Sequence, residues 1–582
     1  MDVLEKVNYE KDKEVYWHTT AHILAAAVKR LYPTTTIAIG PAIENGFYYD
    51  FDNLTITEED LKKIEEEMDK VIKADLKLKK EVVTKQKALE IFKDEPYKTE
   101  MINDLPTGEE ISVYHLGTEI TDLCRGPHLA STKMVGAVKL TSLAGAYWRG
   151  DSKNKMLTRI YGISFPDKKQ LRIYLDFIEE MKRRDHRILG QKLDLFSFHK
   201  EAPGMPFFHD KGTFIWNQLV KYVTELMEVR DYEINKTPIV LNKDLWLQSG
   251  HWDHYKNNMY FTKIDDFDYA VKPMNCPGNI LIYKTNKHSY RDLPIRAGEF
   301  GLVHRHELSG TLSGLFRVRA FTQDDAHVFC TKEQLNSEIK NLLGFMDEVY
   351  KKFGFEYSME LSTKPENAMG SAEQWDIAEV TLKTALEEFG SKYKVNEGDG
   401  AFYGPKIDFH LKNAMGASWQ CGTIQLDFQM PEKFDLTYMA NDNTEKRPIM
   451  LHRAVLGSVE RFLGILIEHF AGRFPLWLNP RQIIVVPVAE TFNEYAEKIA
   501  KELKEAGLRV SADLRETTLN KKIRDAEVLY YNYILVVGEK EVKEKSVNAR
   551  IRDSKVQKTV SLKDFIPVVQ KEYNKRELKS SF

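Results

Sequence analysis

The chain has 582 residues, 42% of them apolar and 11% aromatic, which is too long for one core and too apolar for a largely disordered chain, so three or four domains are expected. Its formal net charge of -3 excludes a uniformly basic nucleic-acid binder, although local patches still suit one. Four widely separated cysteines, Cys124, Cys276, Cys330 and Cys421, argue against a disulfide framework. With a charged N-terminus and no apolar run near the roughly 20 residues of a membrane span, the expectation is a cytoplasmic protein with no membrane partner.

From Glu14 the sequence EVYWHTTAHILAAAVKRLYP has helical periodicity, with Val15, Ile23, Leu24, Ala27, Val28 and Leu31 on one side and Pro33 as a stop. His18 and His22, four apart, share a face. Two such histidines are more often packing or polar surface than ligands. In TDLCRGPHLA, however, Cys124 and His128 repeat the offset beside Asp122, and two pairs make a convergent site the better reading, since imidazole and thiolate bind metal or move protons near neutral pH. Together with GPAIENGFYYDF and GAYWRGDSKNKMLTRIYGISF, the stretch from Glu14 to Phe165 resembles the editing domain shared by threonyl- and alanyl-tRNA synthetases. The resemblance implies that His18, His22, Cys124 and His128 form a hydrolytic site acting on mischarged tRNA, supported by Lys98, Tyr49 and Asp122. In the alanyl relatives this quartet holds zinc and in the threonyl relatives it does not, so no metal is assigned to it.

The run DKKQLRIYLDFIEEMKRRDHRIL reads as an amphipathic connector helix with Leu171, Tyr174, Ile178 and Met181 apolar, and turn signals near Gly190 open a new domain. GTFIWNQLVKYVTELMEVRDYEINKTPIV is a helix running into a strand; it looks like motif 1 of the class II aminoacyl-tRNA synthetases, which builds a dimer interface, so a homodimer is expected.

GLVHRHELSGTLSGLFRVRAFTQDDAHVFC, residues 301 to 330, reads as a hairpin with inward-facing Arg305, Arg317 and Arg319 around a turn at Ser309 to Gly314. For any single arginine a surface pair with Glu is the blander reading, but several on one rigid sheet suit a polyphosphate. The spacing of HRHE and FRVRAFTQDD resembles motif 2 of the same family, and its TQDDAH end looks like the threonyl members. GDGAFYGPKIDF and WQCGTIQLDFQ follow as strands of the same sheet, and LHRAVLGSVERFLGILIEHF, read as a closing helix with Gly457 and Arg461, resembles motif 3. After PLWLNP, strands and helices alternate as in a small α/β domain with a mostly parallel sheet.

The resemblance covers essentially the whole chain. It implies a multidomain α/β and α+β protein: an N-terminal α+β editing domain (1–165), a linker helix (166–190), an antiparallel-sheet class II catalytic domain (191–479) and a C-terminal α/β anticodon-binding domain (480–582). The small domain that precedes the editing domain in the family has no room here. By resemblance Arg305 holds the ATP α-phosphate, Glu307 seats adenine, and Arg317 and Arg461 hold the terminal phosphates, with Mg2+ accompanying ATP. Cys276, His327 and His452 match one zinc site per chain; their spacing alone proves no metal. Asp325 matches the acceptor for the threonine hydroxyl, Gln323, Tyr403, Lys406 and Gln425 match further pocket positions, and His251 matches a histidine acting in transfer to tRNA. Glu541 and Arg550 match positions that contact anticodon bases. The partners implied are ATP, L-threonine and tRNA(Thr). A class II enzyme for serine or proline is the rival, but neither pairs this Cys/His/His set with an HxxxH and CxxxH domain. A non-catalytic RNA-binding paralogue is expected to lose phosphate-binding arginines, and Arg305 and Arg461 are both present.

Overall fold

Among the described residues the first helix, Lys13–Leu31, is covered on nearly every side, with Trp17 and the run from Thr19 to Val28 buried while Leu31 is exposed. The expected one-sided stripe is therefore corrected. The helix lies between an antiparallel sheet and the amphipathic helix Asp60–Lys73, and the three small residues Ala25, Ala26 and Ala27 allow close approach from both. A computed structural model describes residues 13–106, 108–412, 416, 418–554 and 556–582, with backbone alone at His254; the charged first twelve residues lie outside the described residues.

The sheet orders Thr36–Ile37, Gly46–Asp52, Met156–Phe165 and Ala137–Tyr147, with Ala42–Ile43 paired to Gly46–Asp52. A second, three-stranded sheet of Leu78–Val83, Ile111–Leu116 and Ile120–Leu123 delivers Asp122 and, just past its last strand, Cys124. This compact unit reaches Glu180, and a second spans Met181–Phe582. The single linker helix expected over 166–190 is two helices, Lys168–Arg184 and His186–Lys192. Asp185 is the reason: its carboxylate accepts from the Arg187 amide and caps the second helix.

The second unit is built on an eight-stranded sheet, ordered Tyr232–Ile234, Ile295–His304, Ala320–Cys330, Ile449–Ala454, Ser418–Asp427, Lys406–Lys412, Glu356–Ser362 and Tyr393–Asn396. The six central strands are antiparallel, and only the outermost pair at each end is parallel. Helices Asp210–Glu228, Leu335–Lys352 and Val459–His469 bury their apolar faces with it around Tyr350, Phe462 and Trp477.

Two expectations change here. The segment from Leu451 to Ala454 is the end of a strand, and the helix begins only at Val459, after Gly457 takes a φ of 70° that side chains disfavour. Arg305, Arg317 and Arg319 lie in the loop joining the two hairpin strands and not within them.

The C-terminal sheet orders Val510–Ala512, Ile483–Pro487, Tyr533–Val537, Ser546–Ile551 and Gln557–Ser561. Three strands are parallel and the last two antiparallel, so the sheet is not mostly parallel. Only residues 538–545 join Tyr533–Val537 to the next strand, and a parallel crossover needs a dozen residues or more.

Candidate active site

Antiparallel register brings residues remote in sequence into one line. His327 pairs with His452, His452 with Gln425, and Gln425 with Lys406, so four strands place four polar side chains on one face. Cys276 arrives from elsewhere, as the first residue of the helix Cys276–Tyr283. One ligand atom from each of Cys276, His327 and His452 lies within 4.8 Å of the others, and all three residues are buried. The two imidazole rings are 5.0 Å apart and nearly perpendicular.

This set fits a metal by its own chemistry. His452 Nε2 bonds Asp427 Oδ2 at 2.8 Å, the carboxylate support that orients ligating histidines. Both ring nitrogens of His327 are buried with no hydrogen-bond partner, a costly state for a polar group unless something binds there. Burial also drives the His327 pKa well below its ordinary value, so that ring is neutral and keeps a lone pair. At His452 burial is outweighed by Cys276 and Asp427, which push its pKa up to about 10, a proton that a metal must displace on binding. Thiolate and imidazole donors favour zinc. Asp325 stands alongside, with Oδ2 3.8 Å from His327 Nε2 and accepting from Asn275 Nδ2 at 3.3 Å. Burial, opposed by His452, pushes its pKa up to about 6.

Next to the cluster a cavity of about 390 Å³ is lined by Arg305, Glu307, Arg317, Gln323, Tyr403, Lys406, Gln425 and Arg461, together with Cys276, Asp325 and His452. Arg305 Nε is anchored on the Pro273 carbonyl at 3.1 Å, Arg317 pairs with Glu307 at 3.1 Å, and Arg461 donates to the carbonyls of Phe316 and Gln420, each at 3.0 Å. Burial lowers the Arg461 pKa, and the like charges of Arg317 and Arg305 add to the effect. Three guanidiniums converging against their own repulsion form a site for a multiply charged anion. Gln323 offers a buried Oε1 with no partner, whereas Lys406 is paired with Asp408 at 2.6 Å and Asp399 at 3.1 Å. Arg319, expected to face inward, is spent on the loop: it donates to the carbonyls of Glu307 and Pro203 and to Ser309 Oγ. His251 is buried against Ser249 Oγ at 2.8 Å and Met274 Sδ at 3.0 Å, and it is Met274 that lines the cavity.

The first unit holds a second constellation. Ligand atoms of His18, His22, Cys124 and His128 lie within 4.8 Å of one another, with Cys124 Sγ 3.2 Å from Nε2 of both His18 and His128. His22 Nε2 is 3.4 Å from Asp122 Oδ2, which accepts from Tyr49 OH at 2.6 Å, and Lys98 pairs with the other Asp122 oxygen. Burial lowers the pKa of His18, brings that of His22 down to about 4, and raises the Cys124 thiol to about 12. Burial works against charging Asp122 as well, but Lys98 and His22 prevail and hold it below the ordinary carboxylate value. The result is a set of neutral imidazoles beside a fixed carboxylate, opening on a cavity of about 410 Å³.

Three family descriptions match the chain: a class II tRNA synthetase core domain (G, H, P, S and T) over residues 260–470, an anticodon binding domain over 482–572, and the threonyl and alanyl tRNA synthetase second additional domain over 111–161. The threonine–tRNA ligase of Finegoldia magna is 54% identical over 98% of this chain and 90% of its own length. That of Protochlamydia amoebophila is 51% identical over the whole of this chain and 89% of its own. This chain belongs to the threonyl-tRNA synthetases. Among solved structures, one described as the RNA binding domain of threonyl-tRNA synthetase from Cryptosporidium parvum superimposes with a TM-score of 0.66 at 43% identity, covering 68% of this chain and 99% of that one. A threonyl-tRNA synthetase from Aeropyrum pernix gives 0.59 at 30%, covering 68% and 97%.

In the C-terminal part of this threonyl-tRNA synthetase chain, Glu541 and Arg550 are differently employed. Glu541 Oε2 accepts from the Gly538 amide at 3.0 Å and caps its own short helix. Arg550 lines a cavity of about 540 Å³ with Tyr530, Tyr531 and Arg552 but also with Asp553 and with Glu527, 3.8 Å from its guanidinium, a mixed polar surface with aromatic rings on which unpaired bases can stack. Sequence reasoning missed those neighbours; the signal that could have found them is the run YYNY from Tyr530. It also missed Asp427, which had no signal of its own beyond lying two residues after Gln425 on the same face.

Among the described residues no helix is long and apolar enough to cross a membrane.

Proposed function

We propose that the chain activates L-threonine with ATP, transfers it to tRNA(Thr), and clears seryl-tRNA(Thr) at its N-terminal site. The reading is carried by one observation: Cys276 and His452 of the zinc-compatible triad line the same cavity as Arg305, Arg317 and Arg461. An amino acid held at the triad therefore lies beside an anion held by the arginines. Proximity of this kind, with positive charge where negative charge develops, is what carboxylate activation by ATP requires.

Cys276, His327 and His452 would hold zinc in this reading, and the ion would supply Lewis acidity toward the polar groups of the substrate. Asp325 accepts from the substrate hydroxyl, and Gln323 Oε1 is an acceptor for its amine. Arg305 steadies the α-phosphate through the reaction, Arg317 and Arg461 hold the departing pyrophosphate, and Mg2+ accompanies the nucleotide. Valine, which lacks the hydroxyl, leaves these buried polar groups unpaired and is rejected; serine keeps the hydroxyl and lacks only a methyl, worth about 1–3 kcal/mol. The N-terminal constellation answers that shortfall, with His18, His22, Cys124 and His128 around an activated water and Lys98, Tyr49 and Asp122 in support.

We assign residues 1–165 to editing, 166–190 to the linker, 191–479 to aminoacylation and 480–582 to the anticodon, with Arg550 on the tRNA side. A homodimer is supported by exposed Phe198, Phe207, Val229, Ile234, Ile239 and Val240 in and around the stretch that resembles motif 1. ATP–pyrophosphate exchange across the twenty amino acids tests the assignment: threonine must be the best substrate, and another acid in that place overturns it.

A further inference from the structure

Asp185, His186 and Glu468 present ligand atoms within 4.8 Å of one another, yet the hydrogen bonds of His186 give it another role. Its Nε2 lies 3.0 Å from the Leu315 amide nitrogen. A backbone N–H can only donate, so Nε2 is the acceptor and the ring proton sits on Nδ1, 2.8 Å from Glu468 Oε1. Both nitrogens are thus used, and no lone pair is left for a metal.

These bonds close a circuit through the anion cavity. Glu468 and Arg461 stand on the same helix, Val459–His469, seven residues and about two turns apart, hence on one face. From Glu468 the path runs through His186 to the Leu315 amide, on to the carbonyl of Phe316, and back to Arg461 Nε at 3.0 Å. The His186 ring packs on Phe316 at 4.1 Å between centroids, and Phe316 packs on Trp419 at 4.0 Å. His186 itself is 1% exposed. Gly314, at a φ of 48°, lets the loop approach, because a Cβ there would stand 2.2 Å from His186 Nε2.

We propose that His186 is a positioning residue for ATP: it fixes the 313–317 loop against the Arg461 helix, so that Arg317 and Arg461 face the nucleotide in advance. The inference rests on the reading of those arginines as phosphate ligands. Without the imidazole, the Leu315 amide loses its acceptor and Phe316 is no longer held where its carbonyl orients Arg461. Order in the loop must then be bought from ATP binding.

The test is threonine-dependent ATP–pyrophosphate exchange with full-length His186→Ala, His186→Gln and Arg461→Ala, alongside thermal melting. His186→Ala is expected to raise the KM for ATP about ten-fold, the effect of one lost buried hydrogen bond, while the KM for threonine changes less than about two-fold. His186→Gln, which restores an acceptor for the Leu315 amide, is expected to recover most of the ATP affinity. An unchanged KM for ATP in His186→Ala, equal losses for ATP and threonine, or no recovery by glutamine in a protein that melts normally overturns the proposal. Arg461→Ala separates the two readings: if it leaves the KM for ATP unchanged, the phosphate-ligand reading fails, and if it raises that KM while His186→Ala does not, only the role of His186 fails.

Discussion

Lys272 and Glu299 form an ion pair 3.0 Å long with each side chain 1% exposed. Thr237 and Asn279 complete the carboxylate's hydrogen bonds, and Asn279 lies on the helix that Cys276 begins. Lys272→Met leaves Glu299 charged and unpaired in the interior, at a cost of about 3–5 kcal/mol. Replacing both, as Lys272→Met with Glu299→Leu, is expected to cost less than the single change. Denaturant midpoints of the two variants check this, and a double variant weaker than the single one contradicts it.

Zinc at Cys276, His327 and His452 predicts about one zinc per chain in purified protein. Cys276→Ser should strip most of it and reduce discrimination against valine about 100-fold or more. Metal analysis decides first: full zinc content in Cys276→Ser, with threonine activation intact, removes the triad from the site.

For editing, a His18→Ala, His22→Ala double variant given pre-formed seryl-tRNA should lose deacylation while threonine activation stays normal. Loss of both activities together would make the cluster structural.

The same cluster predicts a pH dependence. Burial lowers the folded-state pKa of His22 from 6.5 to about 4, so the unfolded chain binds the proton first as pH falls. The stability contributed by the neutral ring is complete above 6.5 and is lost between 6.5 and about 4. Wild type should therefore lose more melting temperature across that window than His22→Gln does, and parallel curves would argue against the shift.

Arg550→Ala is expected to raise the KM for tRNA about ten-fold or more while leaving ATP–pyrophosphate exchange unchanged, as the loss of one base or phosphate contact does. The point substitution is a cleaner test than deleting residues after Pro480. Arg481 donates to the Leu193 carbonyl, Arg509 pairs with Asp210 and Arg576 with Glu225, so deletion also uncovers the catalytic part. Equal tRNA KM in Arg550→Ala and wild type would move recognition elsewhere on this domain.

By itself the sequence determined the order of the three functional regions and the residue types in each site. Local pattern carries that much, because an HxxxH pair, a capped helix or an arginine-flanked turn is set by neighbours a few residues away. It also placed Cys276, His327 and His452 in one zinc site, but by resemblance alone, since nothing in their spacing shows that they meet. Only the tertiary structure decided this, through the register of the central strands that aligns His327, His452 and Gln425. Register is set by which faces of many strands can be buried together, a property of the whole sheet. For the same reason Arg319 went to loop carbonyls, Leu451 to a strand, and His186, unremarked in the sequence, to the loop beside Arg461.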